Sequence, residues 1–147
     1  MTLACLIGAT LASFGAAAQG QPQTLPTTRL SAGIHVVRAM VADRPDTRQT
    51  GLMFRKEMAP NDGMLFVFER PSDQCFWMKN TLIPLSIAFL ADDGRIVNVE
   101  EMKAQTLDGH CSKEPVRFAL EMNQGWFKAK GLAAGHKVRG LPAVASR

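Results

Sequence analysis

Cys75, Cys111 and the imidazole of His110 come closest to a reactive group in this chain. Gly109-His110-Cys111 sets an imidazole beside a thiol, and a thiolate with a neighbouring base is a nucleophile. Adjacent residues on an extended chain point to opposite faces, however, and no Arg follows closely. Cys75 and Cys111 are also the only cysteines after Cys5, and paired cysteines are the rule in exported chains. A disulfide is therefore preferred over a Cys111 nucleophile. Closing a loop of this length would stabilise the fold by roughly 3–4 kcal/mol.

A second group is polar. Arg48, Arg55, Asp62, Lys79 and Asn80 all interrupt apolar text. On a strand Trp77 and Lys79 share one face, and Phe76 and Met78 the other. If the latter pair enters the core, Arg55, Asp62, Trp77, Lys79 and Asn80 can line one groove suited to a sugar or peptide. A structural account is equally open: Asn80 and Asp62 would satisfy turn backbone, and Arg55 would pair with Asp62. Acid–base chemistry would instead use Asp62 or Glu121 with Lys79 as partner.

Metal and cofactor chemistry finds no local support. His35, His110 and His136 are far apart in the chain, and the methionines form no Met-x-Met or Met-x-x-Met group. Most Met residues sit beside Phe, Leu or Val and read as adaptable core filling. There is no Gly-x-Ser-x-Gly elbow, Walker loop or dinucleotide fingerprint. No metal and no cofactor is expected.

These groups must be positioned by a chain of 147 residues, 46% hydrophobic and 20% charged, which suits one globular domain. The net charge of +4 is scattered and forms no Lys or Arg run, which argues against nucleic acid as a partner. Residues 1–18 carry no charged side chain and end in Ala16-Ala17-Ala18, the pattern of a cleaved signal peptide. The run is too short to span a bilayer, so no stable membrane span is expected after cleavage. Cys5 lacks a lipidation context and reads as part of this leader. Residues 19–33, rich in Pro, Gln and Thr, read as a flexible tether, residues 34–142 as the domain and 143–147 as a tail.

Within the domain, strands are expected at Ile34–Val41, Met64–Phe68, Cys75–Lys79, Leu85–Ala91, Arg95–Met102, Val116–Met122 and His136–Leu141. Asp92-Asp93-Gly94 marks a hairpin. Short helices are expected from Pro45 to about Leu52, capped by Asp43, and at Gly125–Lys130. No crossover helix is long enough for a parallel α/β design. The expected fold is mainly β, a compact antiparallel β-sandwich or partly closed barrel with one or two short helices.

GLMFR at 51–55, DGMLFVF at 62–68, FWMKNTLIPL at 76–85, DDGRIVNVEE at 92–101 and ALEMNQG at 119–125 together resemble Domain of Unknown Function 192. The resemblance covers roughly residues 34–141 and implies a compact β-rich sandwich with short edge helices. It carries no assigned activity and hence no catalytic residues. Two positions depart from the usual pattern: Ser86 stands where Asp is common, and His136 follows Gly135 where Asp is common. Both are expected to be turn or sheet-edge positions.

The functional expectation is a non-enzymatic binding or accessory module of the cell envelope, periplasmic or secreted and monomeric. Its partner would be a small molecule, a glycan or an envelope protein. An envelope hydrolase or lyase using Asp62 or Glu121 with Lys79, a Cys111 nucleophile, and a structural or quality-control role are the alternatives. These residues do not decide whether a reaction is catalysed.

Overall fold

The computed structural model describes residues 20–143, so the proposed leader, with Cys5, and residues 144–147 lie outside the described residues. Nine strands and two short helices follow one another as β1 (Thr27–Ala32), β2 (His35–Ala42), α1 (Pro45–Thr50), β3 (Asp62–Ser72), β4 (Cys75–Phe76), β5 (Leu85–Leu90), β6 (Ile96–Met102), β7 (His110–Cys111), β8 (Val116–Asn123), α2 (Trp126–Ala129) and β9 (Val138–Arg139). Seven of them form one sheet in the order β6-β5-β8-β3-β2-β1-β9, and β4 pairs with β7 separately. The sheet curls until its two edges meet. Arg95, just before β6, bridges Lys137, just before β9. Gly94 makes that meeting possible, because a Cβ at its φ of +83° would overlap the Val138 carbonyl. The partly closed barrel is thus the form the mainly β expectation takes.

Three expectations need correction. The sheet is not wholly antiparallel: β2 and β3 run parallel, Arg38–Ala42 beside Asp62–Phe66. A long crossover helix is unnecessary, because residues 43–61 are enough chain to return with only one short helix. Nor is the 19–33 segment a free tether over its described part. β1 pairs with β2 on one side and β9 on the other, burying Leu30 and Ala32. Ile34, the expected domain start, is instead the 93% exposed tip of the β1–β2 hairpin. Finally, α1 is capped from Arg44, whose backbone N–H donates to Thr47 Oγ1 at 3.1 Å, and not from Asp43.

Both faces of the sheet are buried. On one face Leu65, Leu120 and Ala88 pack with Trp126, Phe127 and Leu132 from α2 and the turn after it. On the other, Met64, Ile87, Phe89 and Ala119 are covered by Leu52, which follows α1, and by Met78. β5 is buried at every position, as a strand covered on both faces must be. The crossover is tied down by Asn123, whose Nδ2 donates to the carbonyls of Met58 and Ala59, and by Trp126 Nε1, which donates to Asn61 Oδ1 at 3.0 Å.

Candidate functional site

The crossover and the β4 segment do not seal the second face completely. Between them lies a cavity of about 250 Å³ whose lining includes Arg48, Leu52, Phe66, Phe76, Trp77 and Glu121. Each wall has a local cause. Gly51, at φ +50°, ends α1 with its N–H on the Thr47 carbonyl, which also accepts from Gln23 Nε2, and the chain turns to drop Leu52 into the core. Helix α1 also carries Arg48, whose Nη1 donates to the carbonyls of Asp43 at 2.7 Å and Val67 at 2.9 Å. Its guanidinium lies 5.1 Å from the Phe68 ring centroid.

The opposite wall is held by the disulfide. Cys75 and Cys111 face each other across the β4–β7 pair, Cα atoms 4.1 Å apart, and are bonded. The Cys111 sulfur is therefore not a free thiolate, and the nucleophile reading falls. Phe76 meets Phe66 edge-on at 4.8 Å, while Met78 is fully buried and Trp77 is 48% exposed at the rim. Strand pairing ends at Phe76, so the expected strand to Lys79 is cut short. Residues 78–81 are held instead by Met78 N–H on the Thr106 carbonyl and Gln105 N–H on the Thr81 carbonyl.

Glu121 forms part of the floor. It sits on β8 between Met64 of β3 and Ile87 of β5, on the face that faces the crossover. Its side chain is 4% exposed and bonds to no described residue. Burial pushes its carboxyl up to about 8, because the anion has lost water and gained nothing in exchange.

The five residues expected to share one groove do not. Arg55 and Asp62 line a second concavity of about 670 Å³, Trp77 lines the first, and Lys79 and Asn80 line neither. Arg55 does not pair with Asp62. Its Nη2 donates to the Gln23 carbonyl and lies 3.1 Å from Met40 Sδ, whereas Asp62 is held by Arg38 at 2.6 Å. Lys79 is exposed, with its ammonium 5.3 Å from the Trp77 ring centroid. Asn80 takes a left-handed φ of +54° and its carbonyl accepts from Phe54 N–H, a turn role. An acid–base arrangement of Asp62, Glu121 and Lys79 is not assembled.

Ser86 is fully buried in a central strand and not at an edge. Its hydroxyl donates to Glu101 Oε2 at 2.6 Å and accepts from Gly125 N–H at 2.7 Å. His136 does lie in a turn, against Ala133. Among the described residues no three His, Cys, Asp or Glu side chains gather as metal ligands, and no helix is long and apolar enough to cross a membrane.

The architecture is a curled β half-barrel with an open, aromatic-walled pocket over a buried acid. Residues 27–140 match the family described as Uncharacterized ACR, Domain of Unknown Function 192, and the chain belongs to it. Two solved structures are similar. A Novosphingobium aromaticivorans DSM 12444 protein of unknown function shares 31% identity over 90% of this chain and 99% of its own, with a TM-score of 0.77. A Sinorhizobium meliloti 1021 protein called a "putative transcription regulator" shares 36% identity over 76% of this chain and 89% of its own, with a TM-score of 0.71. No curated protein matches the chain.

Proposed function

We propose that this protein is a non-enzymatic binding or accessory module of the cell envelope, and that it holds a small molecule in the pocket over Glu121. One observation carries the reading. A buried carboxyl without a partner is costly, and here it borders an open, aromatic-walled cavity where an incoming group can satisfy it. The second concavity is larger, but its acid Asp62 is already paired with Arg38, which is itself mostly exposed. An envelope hydrolase or lyase needs a second proton-transfer group beside Glu121, and among the described residues Arg48, always charged, is the only other ionisable side chain lining the pocket apart from the bonded Cys75. The regulator name of the Sinorhizobium protein gains no support from a scattered charge of +4.

Export belongs to the same proposal. The uncharged leader and Ala16-Ala17-Ala18 motivate it, and the Cys75–Cys111 disulfide fits an oxidising compartment.

A mixed fragment library screened by NMR tests the binding reading. Hits are expected to shift the Trp77 indole and the backbone signals of Gly51 and Leu52. A library without hits, or hits that shift only signals around Arg55 and Asp62, would overturn it.

A further inference from the structure

The pocket over Glu121 is lined by a cation, Arg48, and by the acid itself, and the two do not meet. Arg48 and Glu121 both line it, yet among the described residues no ion pair joins them. Arg48 is not free to swing inward, since two backbone carbonyls and the Phe68 ring fix its guanidinium. Glu121 is fixed by its strand, with Met64 and Ile87 on either side. The rest of the lining combines the apolar Leu52, Phe66 and Phe76 with the polar Gln49, Thr50 and Gln74. The Lys79 ammonium, over Trp77 at the rim, adds to the positive side.

We infer that the ligand is a small zwitterion of the amino-acid type, its ammonium on Glu121, its carboxylate toward Arg48 and its apolar body against the aromatic walls. The inference rests on the binding reading above and narrows it. A simple organic cation would satisfy Glu121 but set its remaining surface against the positive rim. A simple anion would suit the rim and could accept from the protonated Glu121 carboxyl, but it would leave Glu121 without a charged partner and would release no proton. Only a molecule with both ends makes a charge-assisted bond at each. At about 250 Å³ the cavity falls just below the usual range of roughly 300–1,000 Å³ for ligand pockets, which suits one amino acid better than a peptide.

Proton linkage follows from the same geometry. Burial raises the Glu121 carboxyl to about 8, so it is largely protonated at neutral pH. An arriving ammonium favours the anion, so binding should release a proton from Glu121.

Calorimetric titration of the purified chain with leucine, leucinamide and N-acetylleucine tests the inference, run at pH 7 in two buffers of different ionisation enthalpy. Leucine should bind with proton release, and each analogue should bind more weakly by about ten-fold or more. Glu121→Gln, which keeps the side-chain shape, should weaken leucine by a similar factor and abolish the proton release. Leucinamide or N-acetylleucine binding as tightly as leucine would overturn the inference in favour of a plain cation or a plain anion. Fragments that bind in the pocket while leucine does not would also overturn it and leave the binding reading standing. Absence of both would remove both.

Discussion

Glu121 is the residue at which sequence and environment part company. In Val116–Asn123 the apolar residues Phe118, Leu120 and Met122 alternate with Arg117, Ala119 and Glu121, which reads as one buried and one solvated face. The second face is in fact covered by the crossover and by Met78, and Ala119 is fully buried beside Glu121. Period-two reasoning sees which residues share a face but not what is laid over that face. That Trp77 and Met78 take opposite sides was legible from alternation, while which of them enters the core was left open and is settled by Met78 being buried and Trp77 half exposed. The pairing of Asp62 with Arg38 instead of Arg55 was not, since it depends on the parallel register that places Arg38 opposite Asp62. A stability prediction follows for Glu121. Its folded value of about 8 lies above the ordinary 4.5, so the folded state holds more protons between those values. Stability from this group is present below about pH 4.5 and is lost as pH rises towards 8. Glu121→Gln removes that loss. Thermal melts should show little difference between the two proteins at acidic pH, and at pH 8.5 the variant should be more stable by a few kcal/mol, on the order of 2–5. Melting curves that stay parallel across pH would show that the carboxyl is solvated.

At the scale of elements, the β4–β7 pair is the smallest unit and one the pocket depends on. It is two residues on each strand, too little to persist alone. Two devices hold it. The disulfide closes 36 residues of chain, and the buried Asn98 donates to the Cys111 carbonyl and accepts from Lys113 N–H. Replacing both cysteines by Ser should destabilise the protein by roughly 3–4 kcal/mol in the chain-entropy model. The larger effect is expected on pocket binding, because Cys75, Phe76 and Trp77 form one wall. Denaturant melts and fragment titrations of the double variant check both. Unchanged binding would mean that the wall does not need its clamp. The pairing of these cysteines was readable from their number alone, whereas the shortness of β4 was not. Cys75–Lys79 has strand composition throughout, but after Phe76 the chain bonds to residues 105 and 106 and turns at Asn80.

For the molecule as a whole, the closing of the sheet explains why its first strand was overlooked. Thr27–Ala32 contains only Leu30 and Ala32 as inward apolar residues, and it follows a Pro- and Gln-rich stretch. Composition favours a tether. Tertiary context overrides it, because β1 is the strand through which β9 joins the sheet. Except for the two-residue β7, which has no such run, the other strands are marked by β-branched and aromatic residues, and the Asp92-Asp93-Gly94 turn links β5 to β6 as its type requires. A chain beginning at residue 20 should therefore melt cooperatively, while one beginning at residue 34 should lose cooperative unfolding, with β2 left as an edge and β9 held only at the Arg95–Lys137 bridge. Cooperative melting of the shorter chain with unchanged midpoint would contradict this account of the barrel's closure.

The central claim is that Glu121 is a buried, unpaired acid waiting at the floor of a ligand pocket. Its carboxyl carbon can be followed by ¹³C NMR through a pH titration, in the free protein and with a pocket-bound fragment or amino acid. The account predicts a midpoint near 8 in the free protein, displaced when the pocket is filled by a ligand that reaches the floor. A midpoint in the ordinary carboxylate range that is indifferent to ligand would contradict it.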